Sequence, residues 1–145
     1  MTMSNPLTPS SSRVSEQAPH ILVVDDEEMV RSLASRILAE EGFRVRQAAD
    51  GLEALDLLAK LAGEVECVVS DIVMPRLNGV ELMERISTTH PGLPIILMSG
   101  YGSAQLASYG ITAPCAVLGK PFPAELLIAE VKRCLNLDRS KARTN

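Results

Sequence analysis

The sequence predicts an α/β fold in which a parallel sheet carries helices on both faces. Short apolar runs rich in β-branched residues alternate five times with longer stretches whose apolar residues recur at helical spacing. Such alternation is typical of parallel sheets, because each strand is followed by a helix that crosses over to the next strand. With 145 residues and only 3% aromatic side chains, the chain is expected to form one domain with an aliphatic core.

The alternating segments can be assigned in chain order. The predicted strands are short β-branched runs at residues 20–24, 44–48, 67–70, 95–98 and 113–118. The predicted helices have apolar residues three and four positions apart and cover residues 27–41, 52–62, 79–89, 103–109 and 123–135, the fourth being the weakest. Gly42 is expected to end the first helix, since glycine favours the conformation found after helix C-termini. Asp50 is the expected N-cap of the second helix, with Glu53 completing a capping box.

The two ends of the chain differ in composition from the middle. Residues 1–19 contain five serines and three prolines among few apolar side chains, which predicts a disordered leader. Residues 20–136 are predicted to form the domain, and residues 137–145 a polar C-terminal tail.

Composition argues against nucleic-acid and membrane partners. Lys and Arg number 14 against 18 Asp and Glu, and the net charge of -4 does not favour nucleic acid or anionic lipid. No apolar run approaches the ~18 residues of a membrane span, and the N-terminus lacks the order of a signal peptide. Cys67, Cys115 and Cys134 form no CxxC pair, so we expect buried thiols in a reducing cytoplasm, with neither a disulfide nor a zinc site.

Polar residues follow the predicted strands at the points where the strands end. Asp25 and Asp26 come directly after the first strand, and Asp71 follows the third. Ser99 follows the fourth strand, and Lys120 lies two residues past the fifth. Because the carboxyl ends of parallel strands share one edge of the sheet, these side chains are expected to meet in one crevice.

The chemistry of this crevice suggests a metal and a phosphoryl group. Three carboxylates packed together repel one another unless a cation joins them, and an all-oxygen set with room for water suits Mg²⁺. Asp25 and Asp26 would anchor the metal, and together with Lys120 the metal would neutralise the carboxylates and allow a phosphoryl group to enter. Asp71 stands apart from the acidic pair and is the expected nucleophile, since an aspartate can attack phosphorus to give an acyl phosphate.

Each of these residues also has an ordinary structural interpretation. Asp25 and Asp26 could serve only as N-cap residues of the following helix and as charges that favour its dipole. Asp71 and Ser99 could be turn residues, and Lys120 could be a solvated lysine. It is their joint placement on one edge of the sheet that favours a functional site.

The candidate site residues lie in four segments, which read ILVVDDEEMVR, VVSDIVMPRLNGVEL, IILMSGYG and LGKPF. In this order and at these spacings, they resemble the receiver domain of two-component response regulators over about residues 20–136. The resemblance implies a flavodoxin-like (βα)5 doubly wound sandwich with strand order 2-1-3-4-5. It also implies that Asp71 contributes to a Mg²⁺ site and accepts a phosphoryl group from a phosphohistidine of a histidine kinase or phosphotransfer protein.

The resemblance further assigns a role to the other site residues. Asp26 would bind Mg²⁺ directly, Asp25 mainly through water, and Val73 through its backbone carbonyl. Lys120 would hold a phosphoryl oxygen, and Ser99 would move toward the phosphoryl group on activation, biasing a two-state surface.

The same resemblance implies a signalling module with no enzymatic turnover. It would act by protein binding or onward phosphorelay to a downstream protein, as a monomer or weak dimer. From the chain length we expect a single-domain receiver with no DNA-binding output domain, and from the cysteines and the lack of a membrane span we expect it in the cytoplasm. Many receivers carry Tyr or Phe three residues before the lysine, where this chain has Val117, so no aromatic switch is expected at that position. The LMSGYG segment is most similar to receivers attached to hybrid histidine kinases.

Three other functional classes share the fold or the residue types of this chain. Phosphatases of the haloacid dehalogenase type use similar residues, but they place the nucleophile after the first strand with a second Asp two residues on; here Asp71 follows the third strand and Val73 takes the second position. A flavodoxin-type nucleotide binder needs a phosphate-cradling loop after the first strand, where this chain is acidic. A phosphorylation-independent scaffold receiver would not need all five site positions to be intact.

Overall fold

A computed structural model describes residues 18–61, 63–100 and 114–144, with side chains described as far as residue 136. In chain order its elements are β1 His20–Val24, α1 Glu28–Glu40, β2 Arg44–Ala48, α2 Gly51–Lys60, β3 Val65–Asp71, α3 Gly79–Thr89, β4 Ile95–Ser99, β5 Ala116–Gly119 and α4 Ala124–Thr144. The fourth predicted helix, at 103–109, and residues 1–17 of the predicted leader lie outside the described residues.

The strands form one five-stranded sheet in the order β2-β1-β3-β4-β5, and every neighbouring pair is parallel. The predicted fold class and strand order are therefore confirmed. Val24 lies opposite Ser70, and Asp71 lies opposite Met98 in the register of the sheet. The ends of the three central strands are thus level, which places the residues that follow them at a common edge.

The core consists of two aliphatic clusters, one on each face of the sheet. Alternate residues of β1 supply both clusters, because successive side chains of a strand point to opposite faces. Leu22 and Val24 pack with residues of α2 and α3, whereas Ile21 and Val23 pack with residues of α1 and α4. All four are fully buried. The clusters fix the helices on both faces and leave the carboxyl edge of the sheet for polar groups.

The end of α1 confirms the role predicted for Gly42. This residue has a φ of 104°, and its N–H donates to the carbonyl of Ala39 at 3.0 Å. The N–H of Phe43 donates to the carbonyl of Leu38 at 3.1 Å, which completes a Schellman motif. Glycine is favoured here because the left-handed conformation is costly for residues with a Cβ atom.

The start of α2 confirms only half of the predicted capping box. The Oδ1 atom of Asp50 accepts the N–H of Glu53 at 2.9 Å, as an N-cap should. The carboxylate of Glu53, however, accepts the N–H of Ala49 at 2.9 Å, so the reciprocal bond to Asp50 was predicted wrongly. A complete capping box is present at α3, between Asn78 and Glu81.

The described chain extends past both predicted ends of the domain. Ala18 is buried, and its carbonyl accepts a hydrogen bond from Nε of Arg44 at 2.8 Å, so tertiary contacts begin before residue 20. Helix α4 continues to Thr144, through most of the segment predicted as a polar tail. No glycine or proline follows residue 135 to end the helix.

None of the described helices has the length and apolar character needed to cross a bilayer.

The cysteines differ from the prediction. Cys115 and Cys134 form a disulfide, so the expectation of three thiols is wrong for this pair, whereas Cys67 is buried and lies outside the bond. Cys115 directly precedes β5, and Cys134 lies on the buried face of α4. Packing of α4 against this edge of the sheet brings their Cα atoms to 6.1 Å despite a sequence separation of 19.

Reduction is expected to destabilise the fold and to expose two more thiols to labelling. Alkylation of the unfolded, unreduced protein should modify one of the 3 cysteines, and prior reduction should raise this to all of them. Because the bond closes a loop of 19 residues, reduction should lower the free energy of unfolding by about 3 kcal/mol. Reductant should not change the stability of a Cys115→Ala variant. Complete labelling without reductant would contradict the disulfide.

Candidate functional site

Three aspartates meet at the carboxyl edge of the sheet, as their positions after the strands predict. Asp25 is the first residue after β1, and Asp71 is the last residue of β3. One carboxylate oxygen from each of Asp25, Asp26 and Asp71 lies within 4.8 Å of the others. Asp25 and Asp71 are buried, whereas Asp26 is exposed, so the cluster is open to solvent on one side. An oxygen-only group of this kind can hold a divalent cation that keeps some of its waters.

Lys120 enters this cluster from the loop after β5. Its Nζ atom lies 3.0 Å from Oδ2 of Asp25 and 3.2 Å from Oδ1 of Asp71. A further carboxylate, that of Glu27, lies 3.7 Å away and was not among the predicted site residues. The backbone N–H of Lys120 donates to the carbonyl of Ser99 at 2.8 Å, which fixes the start of the loop to the end of β4.

Asp25 is the most enclosed member of the cluster. Its side chain is 0% exposed; Oδ2 accepts a hydrogen bond from Lys120, and Oδ1 accepts the N–H of Glu27 at 2.9 Å. Its own N–H donates to the carbonyl of Ala48 at 3.1 Å, at the end of β2. The N-cap of α1 is Glu27, so the interpretation of Asp25 and Asp26 as N-cap residues is wrong.

The electrostatics of the cluster favour additional positive charge. Burial raises the pKa of Asp71 above its usual value, the charge of Asp25 adds to the effect, and the nearby Lys120 only partly offsets them. For Lys120, burial would lower the pKa, but the hydrogen bond to Asp25 and the charge of Asp71 outweigh burial and raise the pKa. One ammonium therefore does not fully compensate the carboxylates that face it.

Mg²⁺ is expected to stabilise the fold more strongly as the pH rises. Because the folded-state pKa of Asp71 is raised, its contribution to stability is fully present below the ordinary pKa of 3.8 and is lost as the pH rises through the raised value. A cation beside the ionised carboxylates should offset this loss, by about 1.4 kcal/mol at ten times its dissociation constant.

Thermal unfolding with Mg²⁺ or with a chelator, in a pH series from about 4 to about 7, checks this expectation. The gain in Tm should be a few degrees at the neutral end and should vanish at the acidic end. An equal gain at both ends would show that Mg²⁺ acts elsewhere.

Ser99 and Val73, the remaining predicted site residues, flank the cluster. Ser99 ends β4, is 2% exposed, and follows Met98, the register partner of Asp71. Val73 lies two residues after Asp71, and its side chain is exposed. The phosphoryl contact of Ser99 and the metal contact of the Val73 carbonyl stay predictions. Val117 is half-buried in β5.

The loop after Asp71 is held close to the end of β3. The N–H of Gly79 donates to the carbonyl of Ile72 at 2.8 Å, and a Cβ atom on Gly79 would collide with the backbone carbonyl of Asp71. Within this loop, Arg76 forms an ion pair with Asp50 that was not predicted from the sequence. The two residues are 26 positions apart, and no local pattern marks their contact.

Comparison with known proteins gives a consistent family relationship. Residues 21–132 match the family model of the response regulator receiver domain. Over 116 residues, or 79% of this chain, the sequence is 40% identical to the sensor kinase CckA of Brucella abortus and covers 12% of that protein. It is 39% identical, over the same share of this chain, to the response regulator MprA of Mycobacterium sp. strain KMS and covers 50% of it. The chain thus spans half or less of these curated relatives.

Solved structures show the same relationship. The crystal structure of the receiver domain of NtrX from Brucella abortus is 36% identical, with a TM-score of 0.73. That match covers 80% of this chain and 98% of the NtrX chain. A response regulator receiver domain protein from Clostridium thermocellum is 26% identical with a TM-score of 0.75, covering 83% of this chain and 97% of that one.

Proposed function

Because the chain belongs to the response regulator receiver domain family, we propose that it accepts a phosphoryl group on Asp71 from a phosphohistidine of a histidine kinase or phosphotransfer protein. The observation that carries the proposal is the arrangement at the sheet edge. Oδ1 of Asp71 lies 3.2 Å from Nζ of Lys120 and belongs to the group of three carboxylates. A nucleophile, a cation and a set of metal-binding oxygens are therefore together where a phosphoryl group can approach from solvent.

The residues fit a Mg²⁺ ion. The donors are carboxylate oxygens within 4.8 Å of one another, one of them on an exposed residue, which suits a small hard cation that retains waters. Asp25, Asp26 and Asp71 would hold the ion, with the backbone carbonyl of Val73 as a further ligand. When bound, Mg²⁺ would neutralise the negative charge of the phosphoryl oxygens.

The chain's own groups would perform the transfer. A carboxylate oxygen of Asp71 attacks phosphorus while the bond between phosphorus and the imidazole nitrogen breaks, giving an acyl phosphate and a histidine side chain. Lys120 holds a phosphoryl oxygen and stabilises the charge that develops on it. The ammonium of Lys120 has three N–H donors, so it could bind the phosphoryl group beside its present hydrogen bond to Asp25. The hydroxyl of Ser99 would then move to bind another phosphoryl oxygen.

The proposed output is protein binding or onward phosphorelay, with no catalytic turnover of its own. Similarity to a sensor kinase and to a response regulator supports a partner from a two-component system. The phosphohistidine donor would meet this chain in the cytoplasm. The chain itself would be a monomer or a weak dimer. The net charge of -4 does not favour nucleic acid.

Intact-mass analysis after incubation with a small phosphodonor and Mg²⁺ tests the proposal. The protein should gain one phosphate per chain and should not release phosphate continuously from a phosphomonoester. Steady turnover would support a phosphatase instead. Failure to gain phosphate would support a scaffold that works without phosphorylation.

A further inference from the structure

The loop at residues 72–78, between β3 and α3, is attached to the start of α2 by an ion pair. We propose that Arg76 and Asp50 are positioning residues, whose ion pair fixes the backbone around Val73 and thereby sets the affinity of the site for a divalent cation. This inference rests on the proposed function, since it concerns the same cation site.

The ion pair is well built and partly enclosed. Arg76 donates two hydrogen bonds to Oδ2 of Asp50, from Nε at 2.9 Å and from Nη2 at 2.6 Å. The side chain of Asp50 is 11% exposed, and its other oxygen accepts the N–H of Glu53. Burial opposes the ionised form of Asp50, but the hydrogen bonds from Glu53 and Arg76 outweigh burial and keep its pKa below the usual value. Asp50 is therefore an anion at neutral pH, and the pair is charged.

The backbone of Arg76 gives a reason why the ion pair matters for the loop. Its φ is 68°, and among the described residues it is the one non-glycine residue with a positive φ. This conformation is unfavourable for a residue with a Cβ atom, so it persists only where surrounding contacts impose it. The two hydrogen bonds to Asp50 are such contacts.

A second contact joins the loop to α2 at the next residue. Leu77 is buried, and it packs so closely on Gly51 that a Cβ atom there would lie 2.5 Å from the Leu77 carbonyl oxygen. The hydrogen bond from the N–H of Gly79 to the carbonyl of Ile72 joins the two ends of the loop. Val73 is exposed and lies between two buried core residues, Ile72 and Met74. The core holds both neighbours of Val73, and the attachments of residues 76 and 77 hold the remainder of the loop and so complete the support of the Val73 backbone.

The start of α2 is also joined to the acidic pair. The carbonyl of Ala48, two residues before Asp50, accepts the N–H of Asp25. The ion pair thus connects the segment after β1 to the loop after β3, and these two segments carry the proposed metal-binding groups. Loss of the pair would loosen one segment relative to the other.

The sign of the change in affinity separates positioning from simple electrostatics. Arg76→Ala removes a positive charge near an acidic cluster, and charge alone would tighten cation binding. Asp50→Asn removes a negative charge and preserves the N-cap, since asparagine caps helices as well as aspartate does. A positioning role predicts weaker binding in both variants, although their charge changes are opposite.

The experiment is a calorimetric titration of the full chain with Mg²⁺. The dissociation constant should rise about tenfold in Arg76→Ala and in Asp50→Asn, as for groups that orient metal ligands. The double variant should bind no more weakly than either single one, because the two residues act through one interaction. Arg85→Ala, which removes an exposed arginine from α3, should bind like the wild type. Tighter or unchanged binding in Arg76→Ala overturns the proposal.

Thermal unfolding without Mg²⁺ verifies that each variant is folded. If Arg76→Ala does not fold, Arg76→Gly replaces it, because glycine tolerates the positive φ. Weaker binding both in Arg76→Gly and in Asp50→Asn, which leaves residue 76 unchanged, would assign the effect to the lost ion pair. If the wild type gains phosphate and binds Mg²⁺, and the variants bind Mg²⁺ with the same dissociation constant, only the positioning role is overturned. A wild type that binds no Mg²⁺ overturns both this inference and the proposed metal site.

Discussion

Asp71→Asn is expected to abolish the gain of phosphate while leaving the protein folded. Asparagine has nearly the same shape, but its amide is not a nucleophile that can form an acyl phosphate. The variant should also be more stable than the wild type at neutral pH without Mg²⁺. The raised pKa of Asp71 means that its ionised form costs the folded state free energy above about pH 4, and the amide does not ionise. Intact-mass analysis and thermal unfolding measure the two effects.

Asp56→Asn is the matched control for this variant. Asp56 is an exposed residue of α2 that pairs with Lys60 at 3.0 Å, outside the site. It undergoes the same chemical change and should take up one phosphate, as the wild type does. Full uptake of phosphate by Asp71→Asn would refute Asp71 as the acceptor and would direct attention to the neighbouring Asp25 and Asp26.

Lys120→Met is expected to destabilise the fold about as much as reduction of the disulfide does. The change leaves Asp25, which is 0% exposed, and Asp71 without the ammonium that lies within 3.2 Å of both. Removing one partner of a buried ion pair costs about 3 kcal/mol of the free energy of unfolding, since a charge is left buried without compensation. Phosphate uptake should also fall at least about a hundredfold, because a phosphoryl oxygen loses its positively charged partner.

The pH dependence of this effect has a definite sign. The pKa of Lys120 is raised, so its contribution to stability is fully present below the ordinary value of 10.5 and is lost as the pH rises through the raised value. The difference between wild type and Lys120→Met should therefore be large at neutral pH. It should shrink in acid, where Asp71 with its raised pKa takes up a proton, and on addition of Mg²⁺ at neutral pH. Denaturant unfolding of the wild type and Lys120→Met from acidic to neutral pH, with and without Mg²⁺, measures this difference in the free energy of unfolding.

Lys60→Met controls for the loss of a lysine at an exposed position. Its side chain is 69% exposed, and its ammonium pairs with Asp56 on the surface of α2, where an ion pair contributes less than about 1 kcal/mol. It should behave like the wild type at every pH and in phosphate uptake. An equal loss of stability in Lys60→Met and Lys120→Met would mean that the contacts of Lys120 with the carboxylate cluster do not cause the loss.

Most of the candidate site could be predicted from the sequence, because strand ends can be recognised locally. Asp25, Asp26 and Asp71 follow apolar β-branched runs, and a parallel sheet brings the ends of such runs to one edge. The structure places these three together with Lys120, and it ends β4 at Ser99 beside them. The cluster also includes Glu27, which the sequence analysis placed at the start of a helix and did not associate with Lys120.

The sequence by itself determined the order of the described strands and helices, the ends of the central strands to within one residue, and the edge at which the acidic residues gather. These features depend on hydrophobic periodicity and on glycine, both of which act within a few neighbouring residues. Only the tertiary structure decided the Cys115–Cys134 disulfide, the pairing of Lys120 with Asp25 across 95 positions, and the attachment of Arg76 to Asp50. Such contacts form where separate segments pack against one another, and no local pattern records which side chains will meet.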